Sequence, residues 1–293
     1  MSKVKTHIKE LSTYLIMFIT TRDVFFLFNS VSNMVNDILV RILKCKVPLM
    51  STMTKTFGLH HNKRMLVFYS KLIEKGDLCF DVGANIGKFT KVFSELGAKV
   101  VCVEPEEACL WQLHNLYDGN KSTVIVPMAL GDYEGEGELM LCKEDLGLST
   151  LSAKYMVNYP IEQLSGHKWT KTESVPVTTL DILILLYGLP KYCKIDVEGF
   201  EAQVLNGLSR SVRFMSFEFH KWCFEEAKKC INRILQIGDA EFNFMFGESM
   251  KFASRKWMSP KELYKIIGET SYVSDDRFFW GDIYVRSLGG VIE

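Results

Sequence analysis

The chain has 293 residues, 47% of them hydrophobic, which is enough to bury a sizeable core in one large domain or two small ones. Lysine plus arginine equals aspartate plus glutamate at 35 each, so the formal net charge is zero. This balance argues against a nucleic-acid partner, because such a surface would need a clustered excess of positive charge.

The first 60 residues are predicted to be a helical extension ahead of a main domain at 61–293. Residues 10–46 have a helical pattern that ends at Pro48. Arg22 and Asp23 interrupt their apolar run well short of the roughly 20 residues that a membrane-spanning helix needs. No convincing signal-peptide cleavage site follows. We expect a helix packed on the main domain; the alternative is a peripheral membrane or partner contact through residues 10–46.

Strands and helices alternate after residue 60. The predicted order is helix 60–74, strand 78–82, helix 86–96, strand 99–104, helix 105–116 and strand 122–128. The strand KVVCVE at 99–104 is apolar almost throughout, which is typical of a parallel strand covered on both faces. The eight cysteines form no C-x-x-C pair, and several lie in such apolar runs. They indicate buried thiols in a reducing compartment and hence a cytoplasmic protein.

The pattern changes between residues 131 and 178. GDYEGEG at 131–137 predicts a turn, a strand is predicted at 138–142, and a strand at 174–178 could pair with it. Residues 143–172 are predicted to be irregular. Long loops in compact domains are commonly lids or binding loops, and hydroxyl and aromatic side chains here, Tyr155 among them, suit a polyhydroxylated acceptor. A merely solvated insertion is the alternative.

The alternation then resumes. The predicted order is helix 180–187, strand 193–197, helix 199–208, strand 213–219, helix 222–237, strand 242–246, helix 260–267 and strand 282–286. Strands alternating with helices predict an α/β fold, with a mostly parallel sheet flanked by helices. Ligands of such sheets bind beyond the carboxyl ends of the strands, at the point where the strand order reverses.

The segment FDVGANIGKFT at 80–90 has the pattern of a strand, a turn and a helix around a bound nucleotide. A dinucleotide turn needs G-x-G-x-x-G, but Asn85 stands where the backbone would approach a pyrophosphate. A phosphate-binding P-loop needs Ser or Thr after its lysine, but Phe89 follows Lys88. Asp81 would repel a phosphate. A cationic, phosphate-free nucleoside such as S-adenosylmethionine fits this turn better.

Each residue of the turn has an expected role toward that cofactor. Asp81 would hold the amino group, directly or through water, and Gly83 and Gly87 would let the backbone pass close to the methionine part. Glu104 ends the second strand, where a carboxylate can accept hydrogen bonds from both ribose hydroxyls. Taken singly, the glycines could make an ordinary turn and Glu104 could cap a helix. The predicted cofactor site is Asp81, Gly83, Asn85, Gly87, Thr90, Glu104 and Ala129.

Six segments together resemble one enzyme family. They are FDVGANIGKFT, VEP at 103–105, MALGD at 128–132, TTLD at 178–181, KIDVEGFEAQVLNG at 194–207 and SFEFH at 216–220. This combination resembles the FkbM family of methyltransferases over roughly residues 65–285. The resemblance implies a class I, Rossmann-like methyltransferase fold with a seven-stranded sheet, and S-adenosylmethionine as methyl donor. It also implies O-methylation of a hydroxyl, often on a sugar or a polyketide-like product.

The candidate catalytic residues, Asp196, Glu198 and His220, lie where two later strands end. Asp196 and Glu198 would share a face if their strand continued that far, and Asp196 would orient the acceptor or the sulfonium. Glu198 and Glu201 could instead favour the N-terminus of the next helix, an interpretation preferred for Glu201. His220 would take the hydroxyl proton, since imidazole titrates near neutral pH; a purely structural histidine is the alternative.

Three further alternatives remain open. Asp132, Asp196, Glu198 and His220 could hold a divalent ion, but their spacing is not diagnostic and no metal is predicted. The favoured function is O-methylation of a small, sugar- or glycan-like hydroxyl acceptor. N-methylation of a small molecule or protein is the enzymatic alternative, and a non-catalytic cofactor-binding module is the alternative from another class. The intact glycines and acids of the turn favour an enzyme.

Overall fold

The protein is built around a seven-stranded sheet with the strand order β3-β2-β1-β7-β8-β10-β9. A computed structural model describes residues 61–143, 145–158, 168–269 and 279–289. The strands are β1 (Leu78–Val82), β2 (Lys99–Val103), β3 (Thr123–Val126), β7 (Tyr192–Ile195), β8 (Phe214–His220), β9 (Ala240–Phe246) and β10 (Trp280–Ser287). Neighbouring strands are parallel except for β10, which is antiparallel to β8 and β9. The predicted mostly parallel sheet is confirmed.

Helices connect and cover these strands. They are α1 (including residues 61–69), α2 (Lys88–Glu95), α3 (Glu107–Tyr117), α4 (Ala153–Asn158), α5 (Leu180–Tyr187), α6 (Glu201–Asn206), α7 (Phe224–Ile237) and α8 (Pro260–Glu269). Among the residues described, no helix is both long and apolar enough to cross a membrane. The predicted extension at 1–60, with its helix at 10–46, lies outside the described residues.

The sequence patterns did not predict that three further strands form a second sheet. Its strands are β4 (Ala129–Gly131), β5 (Gly135–Cys142) and β6 (Trp169–Thr179), in the order β4-β6-β5. The predicted pairing of the last two is confirmed, and it is antiparallel. The predicted turn at 131–137 is too long, because β5 already begins within it.

The prediction of irregular structure over 143–172 is wrong for the described part of that segment. It contains a 3₁₀ turn (Leu146–Leu148), helix α4 and the start of β6. Most side chains in the first half of β6 are exposed. A strand with so few buried side chains lacks the apolar alternation by which strands are recognised in sequence.

Successive strand residues pack into two different apolar clusters. Phe80 and Val101 belong to one cluster, whereas their neighbours Cys79 and Val100 belong to another that includes Tyr69. Because side chains alternate along a strand, the main sheet is covered on both faces. Burial on both faces explains why its central strands are apolar almost without interruption.

The first turn places the carboxyl ends of β1, β2 and β7 side by side. The backbone N–H groups of Gly83 and Ala84 both donate to the carbonyl of Val103, at 3.0 Å. On the other side, the N–H of Asp196 donates to the carbonyl of Val82 at 2.9 Å. The chain therefore leaves all three strands at one edge, where a ligand site is expected.

Candidate active site

A cleft opens at this edge of the sheet. Its walls come from the β1–α2 turn (Gly83, Asn85), the end of β2 (residues 104–106), residues 128–130, the loop at 146–151 and the segment after β7 (residues 196–200). The loop at 146–151 belongs to the connection between β5 and β6, so the second sheet helps to enclose the cleft. Of the predicted cofactor residues, Gly83, Asn85, Glu104 and Ala129 line this cleft.

Backbone hydrogen bonds hold the carboxylate of Glu104 in place at the cleft. Its two oxygens accept the backbone N–H groups of Asn85 and Glu106, each at 2.8 Å, and its residue is 6% exposed. Each carboxylate oxygen has two lone-pair directions, so one remains open on each after these bonds. Two neighbouring hydroxyls of a ribose match this pair of acceptors, so the residues fit a nucleoside cofactor. The role of Glu104 toward the ribose stays a prediction.

The charge state of Glu104 leads to a prediction about pH. Burial raises the pKa of Glu104 to about 7, against the backbone hydrogen bonds that lower it. Hydroxyl donors favour the ionised form, so affinity for S-adenosylhomocysteine should rise with pH and level off above the pKa. For a pKa of about 7, the gain between about pH 6 and about pH 8 is about tenfold. Isothermal titration of wild type and Glu104→Gln measures it; a pH dependence that survives in the variant would contradict this role.

Asp81 and Thr90 lie behind the wall of the cleft. Asp81 is 1% exposed, and its carboxylate accepts a 2.6 Å hydrogen bond from the Thr90 hydroxyl. Burial raises the pKa of Asp81. Neither side chain lines the cleft, so the position of Asp81 does not support direct contact with the cofactor's ammonium group. Their assignment to the cofactor site stays a prediction.

The two glycines of the turn allow close packing within the protein. A Cβ atom on Gly83 would lie 1.7 Å from the carbonyl oxygen of Asp196. On Gly87 it would lie 2.8 Å from Cδ2 of Leu113, and Gly87 does not line the cleft. Both residues have positive φ, 74° and 83°, a conformation that favours glycine. Gly83 nevertheless lines the cleft, and the expectation that these glycines admit the cofactor's methionine part stays a prediction.

Four polar side chains, two of them buried and two half-buried, form a cluster at the ends of β7 and β8. The hydroxyl of Tyr155, on α4, donates to Oε2 of Glu198 at 2.5 Å and lies 3.1 Å from Nε2 of His220. Oε2 of Glu218 lies 3.3 Å from the same nitrogen. Glu198 also lines the cleft, so the cluster begins at the cleft wall. The sequence singled out Glu198 and His220 as catalytic but missed Tyr155 and Glu218 as their partners.

Burial sets the protonation of this cluster. It raises the pKa of Glu198 well above its ordinary value, and the charge of Glu218 raises it further. Burial also raises the pKa of Glu218. Burial lowers the pKa of His220, but the charge and hydrogen bond of Glu218, together with the charges of Glu201 and Asp196, more than offset this, and the net pKa is raised. The cluster therefore retains protons more strongly than the same groups do in water.

A buried lysine holds Asp196 at the end of β7. Nζ of Lys194, a residue 1% exposed, lies 2.6 Å from Oδ2 of Asp196. Burial lowers the pKa of Lys194, but the charges of Asp196, Asp282 and Asp81, together with the hydrogen bond to Asp196, outweigh it and the net pKa is raised. The sequence missed this partner, although a lysine inside the apolar strand YCKI is itself a signal.

Strand alternation does not continue to Glu198. Strand β7 ends at Ile195, and Glu198 has a left-handed backbone with φ 53°. The condition for Asp196 and Glu198 to share a face is therefore not met, and their carboxylates contact different partners. Glu201 accepts the backbone N–H groups of Val197 and Gly199, at 3.1 and 3.2 Å, in the first turn of α6. This agrees with its preferred interpretation as a helix-terminus residue.

The cluster is also where a divalent ion could be held. Glu198, Glu218 and His220 bring one ligand atom each to within 4.8 Å of one another. Asp132, in the set considered from the sequence, is exposed and is not part of this group. Carboxylate and imidazole ligands suit several divalent ions. The prediction that no metal is needed stays untested.

Comparison with known proteins gives the family. The profile described as "Methyltransferase FkbM domain" matches residues 81–273. The chain belongs to the FkbM methyltransferase family. The matched region is accordingly a methyltransferase domain, with S-adenosylmethionine as its methyl donor. When bound, this cofactor supplies an activated methyl group on a sulfonium leaving group.

Individual relatives of this FkbM methyltransferase are distant. Hexuronic acid methyltransferase AglP of Haloferax volcanii is 28% identical over 151 residues, which are 50% of this chain and 57% of that protein. The match thus spans little more than half of that relative.

Solved structures resemble the chain only loosely. A putative methyltransferase from Streptococcus mutans, solved with S-adenosylhomocysteine, is 11% identical with a TM-score of 0.37 and covers 79% of this chain and 97% of its own. An S-adenosylmethionine-dependent O-methyltransferase from Thermotoga maritima is 9% identical with a TM-score of 0.38 and covers 79% and 67%.

Proposed function

We propose that this protein transfers a methyl group from S-adenosylmethionine to a hydroxyl of a small, sugar- or glycan-like acceptor. The observation that carries the proposal is the cluster of Tyr155, Glu198, Glu218 and His220 next to the cofactor cleft. An alcohol is a poor nucleophile, and its attack gains from a base within hydrogen-bond reach. A histidine oriented by a carboxylate is a common form of such a base.

Asp196, His220 and Glu218 have distinct parts in the proposed reaction. Asp196, held by Lys194 at the cleft wall, orients the acceptor beside the methyl group. His220 in its neutral form takes the hydroxyl proton, and the Glu218 carboxylate, 3.3 Å from Nε2, stabilises the imidazolium that results. Displacement at the methyl carbon depends mainly on alignment and exclusion of water. Burial of the cluster supports the second of these requirements.

Two observations favour a sugar-like acceptor. The rings of Tyr155 and Trp222 lie 5.7 and 5.8 Å from the ring of His220, and aromatic rings flanking a polar group suit the faces and hydroxyls of a sugar. The relative from Haloferax volcanii is a hexuronic acid methyltransferase. We therefore place hexuronic acids and their glycosides first among candidate acceptors.

A methyl-transfer screen tests the proposal. The full chain is incubated with S-adenosylmethionine and hexoses, hexuronic acids, their glycosides and, as a separate arm, primary amines. Formation of S-adenosylhomocysteine is measured, and mass spectrometry locates the methyl group. A sugar product methylated on oxygen supports the proposal. Methylation of amines alone, or of no acceptor by a protein that binds the donor, counts against it.

The hydroxyl of Tyr155 should affect turnover. Tyr155→Phe keeps the ring but removes the group that contacts both Glu198 and His220. We expect kcat to fall about tenfold, the value of roughly one hydrogen bond to a charged group, and the pH at half-maximal kcat to shift. The control is Tyr187→Phe, because Tyr187 is 38% exposed on α5. An unchanged kcat and pH profile in Tyr155→Phe would show that this hydroxyl is not used.

A further inference from the structure

Glu106 is an acid that the proposed reaction does not use. It precedes α3 at the N-cap position, where a carboxylate normally accepts a backbone N–H of the first turn. Its side chain makes no such bond. The residue is 4% exposed and lines the cleft. The side chain is thus turned away from its usual helix-capping role and buried at the cofactor cleft.

One oxygen of this carboxylate lacks a partner. Burial raises the pKa of Glu106, against the nearby Ser149 hydroxyl from the loop at 146–151, which lowers it. Within the described part of the chain, Oε2 of Glu106 is buried and accepts no hydrogen bond. A buried polar atom without a partner costs free energy, more so when the group is charged. The arrangement is that of an acceptor that acquires its donor from a ligand.

The strand order indicates which end of the cofactor lies next to Glu106. β2 and β3 lie on one side of β1, and β7 lies on the other. The reacting end of the methyl donor must face the acceptor cluster, which lies on the β7 side. Glu104, at the end of β2, is matched to the ribose. The base, attached to the opposite end of the ribose, then lies on the β2 and β3 side, where Glu106 is.

Adenine offers one kind of donor to a carboxylate oxygen. Its ring nitrogens N1, N3 and N7 are acceptors, and the exocyclic 6-amino group carries the only base hydrogens able to form such a bond. We propose that Oε2 of Glu106 accepts a hydrogen bond from the 6-amino group of the methyl donor's adenine. Glu106 thereby selects for a 6-aminopurine. The inference rests on the proposed function for the orientation of the methyl donor, but it does not depend on which acceptor is methylated.

Binding measurements test this contact without any catalytic turnover. The probes are S-adenosylhomocysteine and its 6-deamino analogue, whose purine lacks the amino group. Isothermal titration should show that the wild-type protein binds the amino form at least about tenfold more tightly, as expected for a buried hydrogen bond to a charged acceptor. In Glu106→Ala this preference should fall to less than about twofold.

The matched control is Glu107→Ala, which removes the same charge from the next residue, an exposed acid in the first turn of α3. It should keep the wild-type preference. Because Glu106→Ala removes an unpaired buried oxygen, its ligand-free melting temperature should not fall below that of the control, which verifies the fold. Equal binding of both probes by wild type, or an undiminished preference in Glu106→Ala, would overturn the proposal.

Discussion

Replacing His220 with alanine lowers kcat by about 10²–10⁴-fold, the usual contribution of a positioned acid–base group. Affinity for S-adenosylhomocysteine stays unchanged, because His220 contacts Tyr155 and Glu218 and does not line the cofactor cleft. The wild-type kcat should rise with pH through the raised pKa of His220, since only the neutral ring can accept the hydroxyl proton. Steady-state kinetics and isothermal titration measure both quantities.

The control for this variant is His114→Ala. His114 lies on α3 with its side chain 51% exposed, and its only described partner is Asp118 at 2.8 Å. It should retain wild-type kinetics. A His220→Ala protein with normal kcat would remove His220 from the chemistry. Loss of cofactor affinity with normal turnover per bound cofactor would instead make its role structural.

Replacing Gly83 with alanine lowers the free energy of unfolding by at least about 3 kcal/mol, the sum of a strained backbone and an overlap between backbones. The new Cβ would lie 1.7 Å from the carbonyl oxygen of Asp196. The ends of β1 and β7 must then separate, which moves the wall shared by the cofactor and the acceptor. Chemical denaturation measures the loss, and titration of the folded fraction should show weakened binding of S-adenosylhomocysteine.

The variant Gly76→Ala separates the cost of the strained backbone from the cost of the overlap between backbones. Gly76 also has positive φ, at 93°, but a Cβ there would meet nothing within 4 Å. It should lose only about 1–2 kcal/mol, the cost of a left-handed conformation for a residue with a Cβ. If both variants lost equal stability, close packing of β1 on β7 would not be the reason for glycine at position 83.

The sheet was largely predictable because its strands are local apolar signals. β1, β2, β7 and β8 are short runs buried on both faces, so each is visible without knowledge of its neighbours. The sheet of β4, β5 and β6 was not predictable in the same way, because β4 has only three residues and the first half of β6 is mostly exposed. The strands of this sheet can be recognised in the sequence only when it is known which of them pair.

The site was predictable where it follows from strand ends. Glu104 and His220 were identified because side chains at the carboxyl ends of parallel strands meet at one edge. Tyr155 was not linked to His220, since 65 residues separate them in sequence, and no local pattern reports such a contact. The role of Gly83 also required the structure. A glycine in a turn indicates close approach, but the sequence does not tell whether a ligand or another strand approaches.

A structure of the protein with S-adenosylhomocysteine tests the central claim most directly: that the cleft holds the methyl donor on Glu104 and presents its reacting end toward the cluster around His220. The expected result has both ribose hydroxyls hydrogen-bonded to Glu104 and the sulfur on the side of the cleft formed by residues 196–198. A ligand whose ribose makes no contact with Glu104, or whose sulfur faces the β3 side, would contradict the account.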